Sequence, residues 1–444
     1  MKLAILGGGG FRVPQVYRAV LGDKGTPRVT DVALYDPAPD RLAVMETVLA
    51  QQARGVADAP RVTSTAELST ALDGAQFVFS AIRVGGLTGR THDERIALRL
   101  GVLGQETTGP GGIAYGLRTI PVAMQVAAAV AACCPDAYVI NFTNPAGMIT
   151  EAMQRVLGDR VIGICDTPSG LARRVGVALD IDPERLRPDY VGLNHLGWLR
   201  RVLVDGSDVL PGLLADDTRL AGLEEAAIFG VPWLQALGCV PNEYLYYYYF
   251  TRDAIRSIVS GGATRGEFLQ QQQPGFYRAA AATPSEALAL WQRTVDERSA
   301  LYMAEAKGGP VDVTQPQTDG YEQVALAVMA AIARDEPAQI ILNVRNGSAV
   351  PGLDATAVVE LPTMVDRDGV HPLPASTPDL HQLGLMQQVK AVERLTIEAA
   401  TTGSRGAALE AFALHPLVDS VSVARDLLNG YVDAIPEVAA VLGR

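Results

Sequence analysis

The chain has 444 residues, a formal net charge of −12 and 48% hydrophobic residues, which is enough for two domains with separate cores. Its acidic balance excludes the broad basic surface that a nucleic-acid-binding protein uses. Its four cysteines show no short-range pairing and MKLAILGGGG contains no signal peptide, so we expect a protein of the reducing cytoplasm.

Short apolar strands alternate with helical patterns over the first 165 residues. We predict buried strands at residues 2–6, 32–35, 77–82, 138–142 and 161–165. We predict helices at residues 14–21, 40–53, 65–71 and 119–132. The apolar stretch 120–134 contains Gln125 and is too short to span a bilayer, so we expect a buried helix and no membrane role. The alternation predicts an α/β fold with a Rossmann-like, doubly wound parallel sheet, whose functional groups lie at the carboxyl ends of its strands.

The pattern changes after residue 190. VLVDGSDVLPG predicts a hairpin, and helical patterns follow at residues 223–237, 284–306, 320–334 and 384–401. We therefore predict two domains, residues 1–190 with the Rossmann-like sheet and residues 191–444 with a mostly helical α+β structure. We expect the second domain to hold the substrate and to form the contacts between subunits.

Consecutive glycines close the first predicted strand: Gly7, Gly8, Gly9 and Gly10. Glycines there let the backbone approach a pyrophosphate at the N-terminus of the next helix, although Arg12 replaces the third glycine of GxGxxG. Asp36 ends the second strand, where a carboxylate binds a ribose 2′-hydroxyl and disfavours a 2′-phosphate. Glycines at many such junctions bind nothing, and an aspartate before Pro37 is also typical of a turn. Together these residues favour NAD over NADP.

Cys165 and His195 stand thirty residues apart, each where a strand is predicted to end. A buried strand cysteine or a core histidine is the alternative interpretation of either residue alone. We expect the turn after Cys165 to expose it, and the residues around His195 to form a functional loop. A thiolate and an imidazole leave positions open for substrate oxygens and water, which suits a catalytic divalent ion rather than a closed structural zinc site.

Three further segments carry candidate groups. GQETTGPGG, too rich in glycine for a helix, contains Glu106, and NFTNPAG places Asn144 at the sheet edge, although both motifs also mark simple turns. NEYLYYYYF contains more tyrosines than a core normally uses, because each buried hydroxyl needs a partner. Most of these tyrosines are expected to be structural, and one is a candidate base if a nearby cation lowers its pKa.

These segments, in this order, resemble glycoside hydrolase family 4, the NAD- and manganese-dependent 6-phospho-glycosidases, over nearly the whole chain. The motifs that carry the resemblance are RVGGLTGR, GQETTGPGG, NFTNPAG, ICDTP, GLNHLGW and NEYLYYYY. The resemblance implies roles for eight residues: manganese ligands Cys165 and His195, general acid Asp166, base Tyr244 at C2, Glu106 as the group that raises that tyrosine's basicity, and substrate-binding Arg90, Asn144 and Arg265. It also implies a homodimer or homotetramer acting on a phosphorylated sugar.

The resemblance implies an elimination rather than the two-carboxylate mechanism of other glycosidases. NAD would oxidise C3, the C2 proton would be removed, the aglycone would leave C1, and water addition and hydride return would complete the cycle. Aspartate after the metal cysteine is typical of the 6-phospho-α-glucosidases, whereas NFTNPAGMITEAM and VERLTIEAATTG are more like the β-type. We predict a 6-phospho-β-glucosidase. The alternatives are a 6-phospho-α-glucosidase, a 2-hydroxyacid-type NAD-dependent dehydrogenase and a silent NAD- or sugar-binding protein.

Overall fold

The computed structural model describes residues 1–300, 303, 306 and 320–443. Its strands are β1 (Lys2–Leu6), β2 (Asp31–Tyr35), β3 (Arg61–Thr65), β4 (Phe77–Ser80), β5 (Tyr138–Asn141), β6 (Val161–Gly163), β7 (Arg187–Leu193), β8 (Leu196–Val204), β9 (Ser207–Asp208), β10 (Val240–Pro241), β11 (Ala338–Arg345), β12 (Val358–Asp366) and β13 (Gly369–Pro372).

The α-helices of the described residues surround this sheet. They are α1 (Val13–Gly22), α2 (Pro39–Gln52), α3 (Leu68–Leu72), α4 (Gly86–Arg99), α5 (Pro110–Cys133), α6 (Ala146–Leu157), α7 (Thr167–Ala178), α8 (Leu210–Leu214), α9 (Asp217–Ala221), α10 (Glu224–Phe229), α11 (Val231–Leu237), α12 (Tyr246–Tyr249), α13 (Thr251–Ser260), α14 (Arg265–Ala282), α15 (Ala287–Ala300), α16 (Tyr321–Arg334), α17 (Leu380–Thr402), α18 (Arg405–Leu414), α19 (Val421–Ala434) and α20 (Pro436–Leu442). Short 3₁₀ helices lie at Gly158–Arg160, Pro183–Arg185, Glu243–Leu245 and Pro284–Glu286.

One sheet runs through both halves of the chain, in the order β10-β8-β7-β12-β11-β6-β5-β4-β1-β2-β3, with β13 beside β12 and β9 beside β8. The six strands β1 to β6 are parallel and have the order of a dinucleotide-binding fold. Strand β11 pairs antiparallel with β6 and continues the sheet. The predicted α/β fold with a doubly wound parallel sheet is therefore confirmed.

The parallel strands are apolar because helices cover both faces of the sheet. In β1, Leu3 and Ile5 belong to one buried cluster, whereas Ala4 and Leu6 belong to a second cluster on the opposite face. Alternate residues of a strand point to opposite faces, so this division places one core on each side of the sheet. The carboxyl edge between the two layers is left for the loops that carry functional groups.

The five predicted strands and four predicted helices of the first half are present, with boundaries shifted by a few residues at most except in α5, which begins at Pro110. Strand β3 was not predicted because its RVTST sequence is polar, as suits the edge of a sheet. In the second half the strands β7 to β13 extend the sheet, so the helical patterns give only part of the structure. Residue 190 lies within β7, and the division into two domains there stays a prediction. The end of the predicted helix 284–306 lies mostly outside the described residues.

Helix α5 has the length and composition that would allow a helix to cross a membrane. In the fold it packs against α4, α6 and α17, and most of its first eleven residues are fully buried. These contacts are those of a core helix, as predicted for the apolar stretch 120–134.

Candidate active site

The four glycines form a tight turn between β1 and α1 at the carboxyl edge of the sheet. The N–H groups of Gly7 and Gly8 both donate to the carbonyl oxygen of Tyr35, at 2.9 and 2.7 Å. A Cβ atom on Gly8 would lie 2.7 Å from the Cβ atom of Leu34, so a side chain there would push the turn off β2. Helix α1 then begins at Val13 without a side-chain cap. A close turn and an open helix N-terminus fit a pyrophosphate group.

Asp36 holds this turn in place from the end of β2. Its Oδ2 atom accepts a hydrogen bond from the N–H of Gly9 (3.1 Å), and Oδ1 accepts from the N–H of Ala38 (2.9 Å). Tyr277 of α14 donates from its hydroxyl to the carbonyl oxygen of Gly9 at 2.7 Å. Beside it opens a cavity of about 320 Å³, lined by Arg41, Leu87, Gln273, Pro274, Tyr277 and Arg278. The position of Asp36 agrees with a ribose-binding role, which stays a prediction.

Cys165 lies two residues beyond the end of β6 and is buried, with 5% of its surface exposed. The prediction that a turn after this residue exposes it is wrong, because Thr167 and Pro168 begin α7 instead. The Sγ atom of Cys165 lies 3.3 Å from the Oγ1 atom of Thr167. Burial, reinforced by the nearby carboxylates of Glu360 and Asp166, raises the pKa of the thiol well above its usual value. A bound cation would reverse this effect by favouring the thiolate.

His195 occupies the tight turn of the β7–β8 hairpin, with a left-handed φ of 63°. Its Nδ1 atom lies 3.0 Å from the Oγ1 atom of Thr107, which also lies 3.0 Å from the Oε1 atom of Gln105. An amide oxygen only accepts, so the threonine hydroxyl donates to Gln105 and accepts from Nδ1–H of His195. Burial lowers the pKa of His195 to about 3. The imidazole is thus neutral, with a lone pair on Nε2 for a metal ion.

Tyr244 stacks on His195, with the two ring centroids 3.7 Å apart and the planes 1° from parallel. The N–H of Tyr244 donates to Oδ1 of Asn242 (3.1 Å), and Nδ2 of Asn242 donates to Oγ1 of Thr167 (2.9 Å). Because Thr167 contacts Cys165, this chain of contacts joins the tyrosine, the histidine and the cysteine in one site. Asp166, partly buried, lies between Cys165 and Thr167 at the first residue before α7.

Other tyrosines of the same run pack away from His195. Tyr249 accepts a hydrogen bond from Nε1 of Trp198 (2.8 Å) and lies 3.0 Å from Nε2 of His381. The ring of Tyr248 stacks against that of His415, with centroids 6.3 Å apart. Both tyrosines therefore have structural partners, as expected for most of this segment.

Glu106 lies between two arginines. Its Oε2 atom accepts from Nη1 of Arg83 (2.6 Å), and its Oε1 atom accepts from Nη1 of Arg90 (2.7 Å). Burial alone would raise the pKa of Glu106, but the two guanidinium groups outweigh it and lower this pKa to about 2. The carboxylate is therefore ionised, one residue from the Thr107 that orients His195. Arg83, which follows β4, was not predicted as a site residue.

The GQETTGPGG segment is partly helical, contrary to the prediction, because its last three residues begin α5. A Cβ atom on Gly111 would lie 2.2 Å from the carbonyl oxygen of Gln105, and one on Gly112 would lie 2.6 Å from that of Thr107. Glycine in the first turn of the helix therefore lets the 105–107 loop fold back onto it. This contact places Glu106 and Thr107 in the site.

The predicted substrate-binding residues Asn144 and Arg265 lie in the loop after β5 and at the start of α14. Within the described part of the chain, Oδ1 of Asn144 is buried without a hydrogen-bond partner. Arg265 begins α14 and donates from Nη2 to the carbonyl oxygen of Arg298 at 2.6 Å. The next residue, Gly266, donates from its N–H to Oε2 of Glu94 (2.7 Å), whose other oxygen accepts from Arg90 Nε (2.9 Å). The two arginines are thus brought together through Glu94.

A metal ion at this site would have few protein ligands. Among the residues that the structure describes, no group of three or more His, Cys, Asp or Glu side chains is arranged to hold a metal. Cys165 and His195 offer a soft sulfur and a neutral imidazole nitrogen, which fit a divalent transition-metal ion. Such an ion would keep open positions for substrate oxygens, as in a catalytic site.

We expect the stability contribution of Glu106 to depend on pH. Its folded-state pKa of about 2 lies below its ordinary value of 4.5, so the ionised carboxylate stabilises the folded protein above pH 4.5 by about 3 kcal/mol. This contribution is lost as the pH falls from about 5 toward 2. Urea unfolding at a series of pH values should show the free-energy difference between the wild type and Glu106→Gln shrinking below about pH 5. A difference that does not change with pH would contradict the ion-pair assignment.

A dinucleotide-type turn at the carboxyl edge of the sheet, together with a buried thiol, a neutral imidazole and a stacked tyrosine, is typical of an enzyme that uses a nucleotide and a metal ion. Two family models match the chain, the family 4 glycosyl hydrolase model over residues 2–181 and the model of its C-terminal domain over residues 190–418. The chain belongs to glycosyl hydrolase family 4.

Individual relatives are similar to this chain over nearly their whole length. A probable 6-phospho-β-glucosidase of Bacillus subtilis is 30% identical over 98% of this chain and 96% of its own. The structure of the Thermotoga maritima 6-phospho-β-glucosidase with manganese, NAD+ and glucose-6-phosphate is 27% identical, with a TM-score of 0.83 over 98% of this chain and 99% of its own. A 6-phospho-α-glucosidase from gut microorganisms with NAD and glucose-6-phosphate is also 27% identical, with a TM-score of 0.81 over 98% and 97%.

Proposed function

We propose that the protein hydrolyses 6-phospho-β-glucosides with NAD and a divalent cation such as Mn²⁺, by oxidation at C3, deprotonation at C2, elimination and water addition. The observation that carries this proposal is the continuous contact from Cys165 through Thr167 and Asn242 to the Tyr244–His195 stack. The relatives with the same fold over the whole chain support the substrate class.

The residues present fit both cofactors. Gly7, Gly8, Gly9 and Gly10 with Asp36 would hold NAD, and Sγ of Cys165 with Nε2 of His195 would hold the divalent ion. When bound, these groups supply hydride transfer at C3 and electrostatic stabilisation of the negative charge that develops on the sugar oxygens.

The remaining steps fall to side chains of this chain. Tyr244 accepts the proton from C2, and its stacking on His195 holds the phenol beside the imidazole at a fixed angle. Asp166 donates a proton to the glycosidic oxygen as the bond to C1 breaks. Glu106, ionised between Arg83 and Arg90, adds a negative charge near the tyrosine that favours proton uptake by the phenolate. Water then adds at C1 and gives a proton back to Asp166. Tyr244 exchanges its proton with solvent and then protonates C2.

The phosphate group of the substrate would be bound by arginine. Arg90 and Arg265, brought together through Glu94 and Gly266, present guanidinium groups from α4 and α14. Asn144 would accept from a sugar hydroxyl, because its Oδ1 is buried and has no partner within the described residues. Arginine suits this role because its planar fork matches the phosphate oxygens.

Replacing Arg265 by alanine should raise KM for a phosphorylated substrate about 10- to 100-fold, because a charge-assisted contact contributes about 1.5–3 kcal/mol. Steady-state kinetics on a nitrophenyl 6-phospho-glucoside and on the same glucoside without phosphate provide the comparison. Activity on the plain glucoside should change little. An equal rise in KM for both substrates would contradict phosphate recognition by Arg265.

The α-anomer is a second candidate, because Asp166 follows the metal cysteine as in the α-type enzymes and an α-specific relative shares the fold. Purified protein with NAD, Mn²⁺ and reductant should be assayed on nitrophenyl 6-phospho-β- and 6-phospho-α-glucosides side by side. The proposal predicts NAD-dependent cleavage of the β-substrate without accumulation of NADH. Cleavage of the α-substrate alone would show that the enzyme acts on 6-phospho-α-glucosides. Steady NADH production would instead indicate a dehydrogenase.

We also propose a cytoplasmic location and a homo-oligomeric assembly. All four cysteines are free thiols, which suits the reducing cytoplasm. We propose a homodimer or homotetramer, as the family resemblance implies. Light scattering of the purified protein would give the mass of the assembly.

A further inference from the structure

A carboxylate that the mechanism does not use lies beneath the site. Glu360 of β12 is fully buried, with none of its surface exposed. Its Oε1 atom accepts from Nδ2 of Asn343 (2.8 Å) and Nδ2 of Asn194 (3.2 Å), and its Oε2 atom accepts from the hydroxyl of Tyr190 (3.0 Å). Three neutral donors therefore hold it, and within the described residues it forms no ion pair.

Several other buried carboxylates of this protein are paired with cations. Glu151 of α6, for example, contacts Nζ of Lys390 at 2.9 Å and Nε of Arg394 at 2.8 Å. Burying a carboxylate without a cation is costly, and burial raises the pKa of Glu360 to about 7. A cation bound nearby would favour the ionised form of this carboxylate. Cys165, which a chain of contacts through Tyr190, Asn242 and Thr167 joins to Glu360, is the group that would ligate such a cation.

Two of the hydrogen-bond donors to Glu360 connect it to the proposed metal ligands, one toward His195 and the other toward Cys165. Asn194 immediately precedes His195 in the hairpin turn, and its Oδ1 accepts from the N–H of Ala146 (3.2 Å). On the other side, the Tyr190 hydroxyl lies 3.4 Å from Nδ2 of Asn242, the amide that also bonds Thr167 beside the cysteine. One carboxylate thus supports the histidine turn and the start of α7 together.

We propose that Glu360 is a positioning residue of the metal site, which holds the His195 turn and the Tyr190–Asn242–Thr167 chain in place and strengthens divalent-cation binding with its charge. This inference rests on the proposed function, in which Cys165 and His195 hold the ion. The carboxylate acts through its hydrogen-bond donors and its field, and it is not itself a ligand. Partners of this kind typically account for 10- to 100-fold in metal affinity.

The test is Mn²⁺ binding to wild-type protein and Glu360→Gln. Glutamine keeps the size of the side chain but removes its charge, and its amide group faces a donor. We expect the Kd for Mn²⁺ to rise about 10- to 100-fold, measured from the electron paramagnetic resonance of free Mn²⁺. Titration with Co²⁺, followed by thiolate-to-metal absorption, should show the same shift. NADH binding, measured by fluorescence, should remain unchanged.

Glu151→Gln is the matched control, because it alters another buried carboxylate, which has different partners. It should lower Tm and leave the Kd for Mn²⁺ unchanged. If Glu360→Gln lowers Tm but binds Mn²⁺ as the wild type does, or if both variants weaken binding equally, the inference is overturned. Should Glu360→Gln fail to fold, Tyr190→Phe removes one donor, and an unchanged Kd in that variant overturns the inference too. A wild-type protein that binds no Mn²⁺ would overturn the proposed function itself.

Discussion

Replacing Tyr244 by phenylalanine is expected to lower kcat by about 10²- to 10⁴-fold, the range that a positioned general base contributes. The ring would keep its stacking on His195, because that contact uses the aromatic face and not the hydroxyl. NAD and Mn²⁺ should therefore bind as in the wild type. Steady-state kinetics on the nitrophenyl 6-phospho-glucoside, with separate titrations of both cofactors, measure these effects.

Tyr249→Phe is the control from the same run of tyrosines. Its hydroxyl interacts with Trp198 and His381, so its loss should reduce stability and leave kcat nearly unchanged. If Tyr244→Phe retains full turnover, Tyr244 is not the base. If both variants lose turnover equally, the loss reflects packing of the segment and not proton transfer.

Replacing Cys165 by serine is expected to raise the Kd for Mn²⁺ by more than about 100-fold, because even the outer partners of metal ligands account for 10–100-fold. A serine hydroxyl remains protonated where a thiol can be deprotonated by the cation, so it is a much weaker ligand. The variant should then need far more Mn²⁺ for activity. When Co²⁺ is bound instead, the variant should lack the thiolate-to-cobalt absorption of the wild type.

Cys239→Ser provides the comparison for this variant. Cys239 is also buried, but its sulfur lies 3.6 Å from Nε2 of Gln382, whereas that of Cys165 contacts Thr167. We expect this change to leave the Mn²⁺ titration as it is in the wild type. Identical titrations for Cys165→Ser and the wild type would remove Cys165 from the ligand set.

The parallel half of the sheet could be predicted from sequence because its strands are continuous apolar runs separated by helical periodicity. The antiparallel half could not, since β12 (VVELPTMVD) carries a glutamate and a proline and has no alternation that distinguishes it from a loop. Helices α4 and α6 were missed for a related reason, because GLTGR and NPAG at their starts are also typical of turns.

Some of the site residues could likewise be predicted from the sequence, and others could not. Asn144 and Cys165 lie in loops after β5 and β6, where chemistry is expected in this fold, whereas Glu106 lies in the connection between α4 and α5. Arg83 follows β4 and could have been found by the same argument. Glu360 could not, because it lies far along the chain in an unpredicted strand and acts only through tertiary hydrogen bonds.

In the proposed mechanism the glycosidic bond is broken by elimination after loss of the C2 proton. Hydrolysis of a 6-phospho-β-glucoside should be run in D₂O, and the glucose 6-phosphate formed should be examined by NMR. We expect deuterium at C2, because Tyr244 takes that proton and the position is refilled from solvent. Product with hydrogen retained at C2 would rule out the elimination and indicate direct displacement at C1.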